Sequence, residues 1–130
     1  MNPPIGLTQL LLVAGGGVVG CVLRWLTGVW LNGRWGGFPL GTLLVNCVGG
    51  LLIGFALFVF ERTPDESLRL LVVTGVLGGF TTFSSFSVES LILLQRGELL
   101  LAAAHTLAHV LGALACAALG FRIAQAVLLP

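Results

Sequence analysis

Between Gly78 and Glu89 the sequence reads GGFTTFSSFSVE, which sets Phe80, Phe83, Phe86 and Glu89 three residues apart beside a run of Thr and Ser hydroxyls. On a helix such a series drifts slowly around one side. A phenylalanine stripe alone is ordinary core packing. Here it adjoins Gly75, Gly78, Gly79, Thr81 and Thr82, a concentration of poor helix formers in an otherwise apolar stretch, and that predicts a broken helix. A break at membrane depth frees backbone carbonyls, and such backbone survives only where it is buried in protein, lines a cavity or binds an ion.

Two other constellations carry polar groups into apolar stretches. Thr42, Asn46, Gly50 and Gly54 recur every four residues, so they share one helix face with two hydrogen-bonding side chains on it. Asn46 there needs a partner, either on another helix or in a solute. His105 and His109 are also four apart. A zinc pair wants a third ligand such as a carboxylate, and the H-E-x-x-H pattern is absent, so a polar stripe leading to Ala113 is the expectation. Gly15-x-Gly17-x-x-Gly20 formally matches a dinucleotide fingerprint, but it lies inside an apolar run with no strand before it, and helix packing explains it better. No nucleophile, base and orienting group assemble from so few polar residues, so an enzyme is not expected.

The elements that position these residues are legible in the composition. Of 130 residues, 57% are hydrophobic and 8% are charged, too few charges to solvate the surface of a soluble domain. Apolar stretches run from residue 1 to 25, broken only by Arg24, and from 35 to 60, 70 to 88 and 99 to 121. Each is about 20 residues, enough to cross a hydrocarbon core as a helix. The first is not expected to be a cleaved signal, since no Lys or Arg precedes it and similar spans follow. The chain has no lysine and a net charge of +1, which excludes an electrostatic footprint for nucleic acid. Cys21, Cys47 and Cys116 lie within apolar spans without C-x-x-C spacing and read as buried free thiols.

The expected architecture is all-α and membrane-integral: one domain over 1–130, with four transmembrane helices near 5–31, 40–60, 65–94 and 99–127 and a break in the third. The first helix is expected to start after Pro3-Pro4, and Trp25, Trp30 and Trp35 cluster at its far end as interfacial anchors. Thr63, Pro64 and Glu66 resemble a capping signature opening the third helix. Arg62, Arg69 and Arg122 fall on the side of the termini, Arg24, Arg34 and Arg96 on the other, so the positive-inside rule has no bias to act on. That balance predicts insertion in both directions and pairing with an inverted copy. Gly16, Gly20 and Gly28 on the first helix, and Gly50 and Gly54 on the second, are small residues that let backbones approach closely.

GGFTTFSSFSVE resembles the signature of the Fluc (CrcB) fluoride channels. GGGVVGCVLRW, containing Arg24, is similar to that family's first-helix motif, and GTLLVNCVGGLLIG, containing Asn46, to its second. The resemblance covers three helices in order. It implies a passive fluoride-selective channel of the bacterial inner membrane that confers fluoride resistance, built as an antiparallel dual-topology homodimer with two pores. Phe83 and Phe86 match the paired pore phenylalanines, whose ring edges carry partial positive charge. Asn46 matches the pore asparagine, with Thr42 and the Ser/Thr hydroxyls continuing the track. Gly78 and Thr81 would offer backbone carbonyls to a structural sodium ion on the dimer axis. Arg24 is expected in a vestibule or paired with backbone, and Glu89 as a vestibule or structural charge. The fourth helix departs from the family pattern: His105 and His109 stand where a Tyr and a Ser are expected, and their imidazoles would take over hydrogen-bond donation along the anion pathway. The competing reading is a small multidrug-type, proton-coupled exporter of dual topology. It wants a carboxylate on the first helix, which carries none.

Overall fold

A computed structural model describes residues 5–34 and 37–129. The described residues are helical, with no strand among them: α1 (Leu7–Leu31), α2 (Leu40–Arg62), a third span over Glu66–Gln95, and α6 (Leu99–Leu128). All four spans are long and apolar enough to cross a membrane, with mean hydropathies of 1.8, 2.5, 1.5 and 1.8 in chain order. Their bounds agree with the expected ones to within two residues. The Pro3-Pro4 start and Trp35 lie outside the described residues; Trp25 and Trp30 are exposed near the end of α1.

The third span is not one helix. It opens with α3 (Glu66–Arg69), passes through a π-helical stretch at Leu70–Leu77 and a short α4 (Gly78–Phe80), and resumes as α5 (Phe83–Gln95). Thr81 and Thr82 between them are extended, at φ −83°, ψ 159° and φ −153°, ψ 123°. The expected break is therefore present, but the threonines form it. Gly75 and Gly79 lie within the helical part, where they serve packing. A Cβ on Gly79 would stand 2.6 Å from the carbonyl oxygen of Gly17, and one on Gly75 2.9 Å from the Cα of Gly16.

Close backbone approach organises the molecule into two helix pairs. Gly16 and Gly20 of α1 face the backbone of the π-helical stretch around Leu71 and Val76. On the opposite side, Gly50 and Gly54 of α2 rest on the carbonyls of Ala113 and Ala117 in α6, and Gly120 of α6 rests on Leu51 of α2. The small-residue stripes thus serve contacts inside the chain; Gly28 lies against α2, where a Cβ on Gly41 would stand 3.1 Å from the Gly28 Cα. Small residues give such contacts dispersion energy that lipid cannot match.

The capping expectation needs correction. The Thr63 hydroxyl donates back to Val59 O at 2.9 Å and closes α2, while Asp65 is the N-cap of α3, its carboxylate accepting from Leu68 N at 2.9 Å. An ionised cap so placed also favours the positive end of the helix. Beyond α5 the turn is legible as a glycine cap: Gly97, at φ 75°, donates to Leu94 O, and Glu98 N donates to Leu93 O, both at 3.0 Å.

Substituting valine at Gly54 or Gly79 forces these backbones apart. The expected cost is about 1–3 kcal/mol at each site, read as a lowered Tm of the purified protein in detergent; unchanged melting in both variants contradicts the packing described.

Candidate functional site

The break needs new partners for the amides it releases, and α2 supplies them. Asn46 Oδ1 accepts from Thr82 N at 2.8 Å, and Asn46 Nδ2 donates to Thr82 O at 2.9 Å. The Thr82 hydroxyl accepts from Ser85 N at 3.2 Å and caps α5. Of the two readings of Asn46, the interhelical bond is the one observed, its partner being the Thr82 backbone. One amide hydrogen is bound to the third span, and the second is left to point elsewhere.

Asn46 lines a groove of about 470 Å³ together with Gly78, Thr81, Thr82, Phe83, Phe86 and His109. The two phenylalanine rings are 5.3 Å apart and tilted by 56°. Their surroundings differ: Phe83 is 77% exposed at the lip, whereas Phe86 is 8% exposed and packs against the imidazoles of His105 and His109, at 5.4 and 4.7 Å between centroids. The first turn of α5 starts at this groove, and its N–H groups lack helical acceptors, so it favours negative charge.

Arg24, Asn32, Thr42, Ser85 and Glu89 gather at a second groove of about 360 Å³, and Thr82 borders both. Arg24 Nε donates to Gly79 O at 3.0 Å, so this side chain both lines the groove and holds one of the carbonyls next to the break. Thr42 and Asn46 share a helix face yet open to different grooves. The buried Thr42 hydroxyl donates to Glu89 Oε1 at 2.5 Å.

His105 lines neither groove. It is completely buried, with Nδ1 3.0 Å from Ser90 Oγ and Nε2 3.3 Å from Glu89 Oε2, under Phe38 and Phe86. His109 uses Nδ1 on the carbonyl of His105 at 3.0 Å, and its Nε2 is buried without a partner among the described residues. The carboxylate that the spacing of the histidine pair lacks is supplied from α5: Glu89 bonds to His105, and a ligand atom of each of the three side chains lies within 4.8 Å of the others. Ser90, Asn32 and the Thr82 backbone were not singled out in the sequence. The mid-membrane Asn46 signalled that some partner for it existed, but not which one.

The carbonyls of Gly78 and Thr81 have lost their ordinary helical partners. The N–H groups four residues on, of Thr82 and Ser85, are taken by Asn46 Oδ1 and Thr82 Oγ1.

Residues 11–121, which run through all four spans, match the family described as CrcB-like protein, Camphor Resistance (CrcB). The chain belongs to the CrcB family. It is 50% identical over 114 residues to a protein of Erwinia tasmaniensis named fluoride-specific ion channel FluC, covering 86% of this chain and 91% of the relative. A protein of the same name from Escherichia coli O1:K1 is 47% identical over 117 residues, covering 88% and 93%. A third, from Bordetella petrii, is 46% identical over 120 residues, covering 91% and 92%. With four apolar spans and bacterial relatives of matching length, this CrcB-family chain is a multi-pass protein of a bacterial cell membrane.

Proposed function

We propose that the chain is a passive fluoride-selective channel that lets fluoride leave the cell and so confers fluoride resistance, working as an antiparallel dual-topology homodimer. The observation that carries the mechanism is the Asn46 amide. It bridges the break through Thr82 with one of its two N–H groups, and it lines the groove together with Phe83 and Phe86.

Fluoride is small and strongly hydrated, so a path through the membrane must replace its water with donors that do not hold it too long. The second Asn46 N–H, the first turn of α5 and the positive ring edges of Phe83 and Phe86 supply partial positive charge without a fixed cation. Arg24, at the second groove, draws anions toward the entrance. Thr42 joins this track only when its hydroxyl hydrogen turns from Glu89 to the ion. His105 faces Glu89 in the same way. His109 donates Nδ1–H to a carbonyl, so its neutral Nε2 is an acceptor. It serves an anion only when protonated.

What a single chain leaves open supports the dimer. Phe83, Ser84, Ser87 and Val88 are exposed along α5 at membrane depth, with the Ser84 and Ser87 hydroxyls turned to Thr82 Oγ1 and Phe83 O, and a second copy would cover this face. The even split of arginines supports the inverted arrangement, and the apolar outer faces of α1 and α6 meet lipid. A sodium ion held by the Gly78 and Thr81 carbonyls fits the same scheme. Carbonyl oxygens suit a hard cation, these two have lost their helical N–H groups, and two-fold symmetry doubles them. When bound, the ion pins the break electrostatically, and the chain's part is to keep those carbonyls free. The exporter reading has no comparable support. Glu89 is tied to Thr42 and His105, and the relatives are named as channels.

In liposomes, Phe83→Ile and Asn46→Asp should each abolish fluoride efflux while the purified protein keeps the size of a dimer; full efflux in both removes these residues from the path. Reporter fusions to the C-terminus should give comparable signals on both sides of the membrane, and a strong preference for one side contradicts dual topology.

A further inference from the structure

We propose that Glu89, His105 and His109 form a binding site for a zinc-class divalent cation, and that the bound ion arrests conduction. The arrest rests on the channel reading; the site itself does not.

One ligand atom from each of the three side chains lies within 4.8 Å of the other two. Two imidazole nitrogens and one carboxylate oxygen are a zinc ligand set that leaves a fourth position open, whereas calcium and magnesium want oxygens throughout. The spacing suits it as well. Ligands about 2.0–2.1 Å from a tetrahedral ion stand about 3.3 Å from one another, and His105 Nε2 is already 3.3 Å from Glu89 Oε2.

The outer contacts point the same way. A metal-bound histidine ordinarily gives its other ring N–H to an oxygen, which fixes the ring and its tautomer. His109 Nδ1 is 3.0 Å from His105 O, and a carbonyl only accepts, so the proton is on Nδ1 and the Nε2 lone pair is bare. That Nε2 is buried without a hydrogen-bond partner among the described residues, on a side chain 5% exposed. A buried acceptor left unsatisfied is costly and uncommon. A cation satisfies it. His105 Nδ1 has Ser90 Oγ at 3.0 Å, and a serine hydroxyl both donates and accepts. Moving the His105 proton to Nδ1 therefore frees Nε2 for the ion without losing the Ser90 bond.

The place explains the consequence. His109 opens to the groove of Asn46 and Phe83, while Glu89, 20% exposed, opens to the groove of Arg24. An ion arrives from either side. Its open fourth position is then a fixed positive site beside the path, where fluoride binds as a ligand and conduction requires that it leave.

The test uses purified, tag-free protein titrated with ZnCl2 by calorimetry, with Co2+ as an optical probe of the coordination geometry. The expected result is saturable binding of one Zn2+ per chain, unaffected by excess Mg2+, with tetrahedral Co2+ absorption. Glu89→Gln and His109→Gln should each weaken binding by about a hundredfold or more, and Ser90→Ala, which removes only an outer contact, by about tenfold. In liposomes Zn2+ should stop fluoride efflux and a chelator should restore it. Absence of saturable binding to the unmodified protein, a measurement that needs no variant to fold, overturns the site, as does unchanged affinity in both ligand variants. Binding without arrest overturns the inhibitory role. Liposomes that release no fluoride even without Zn2+ overturn the channel reading and the arrest with it, while calorimetry still decides the site.

Discussion

A helix interrupted inside a membrane must find a partner for every amide it releases, because hydrocarbon offers none. In this chain one side chain meets the part of that demand that falls on Thr82, the residue at the break itself. The Asn46 carboxamide accepts from the N–H of Thr82 and donates to its carbonyl, replacing with a single group the two hydrogen bonds that a continuous helix would have made there. The other features of the site follow from it. The Thr82 hydroxyl is free to cap α5, the first turn of α5 turns its dipole toward the groove, and the carbonyls of Gly78 and Thr81 are released from the helix.

Such an arrangement works only if α2 and the third span are held in fixed register. The two helix pairs, locked to each other where Gly41 of α2 meets Gly28 and Gly49 meets Thr81, provide that. α2 sits on α6 through Gly50, Gly54 and Gly120, and α1 sits on the π-helical stretch through Gly16, Gly20, Gly75 and Gly79. Backbone meets backbone at both seams, so neither pair slides without breaking close contacts. Gly49 is placed for the same end, with the Thr81 side chain filling the space above it. α6 then presents His105 and His109 to Glu89 of α5, and Arg24 of α1 holds the carbonyl of Gly79 on the far side of the break.

Much of this was legible in the residues before any coordinates. Apolar runs bounded by turn residues placed four spans closely, because hydropathy over about 20 residues is a strong signal. The broken third span was also readable, since Gly and Thr are poor helix formers. Its position was readable only to within that run of Gly and Thr. Gly75 and Gly79 read as breakers, yet they remain helical because α1 packs against them, and the chain opens at Thr81 and Thr82 where Asn46 offers replacement bonds. Thr63 looked like a cap because spacing alone does not show that its hydroxyl turns back to Val59. The meeting of Glu89 with His105 and His109 was hidden for a related reason. Spacing along one helix reveals which residues share a face, while contacts between α5 and α6 depend on how the two helices cross.

Selective passage of fluoride through this groove is open to direct test. The direct measurement is anion efflux from liposomes that carry the purified protein, following fluoride and chloride in parallel with ion-selective electrodes. Rapid fluoride release with chloride retained is the predicted result; retention of fluoride by vesicles containing well-folded dimers, or equal release of both anions, would contradict it.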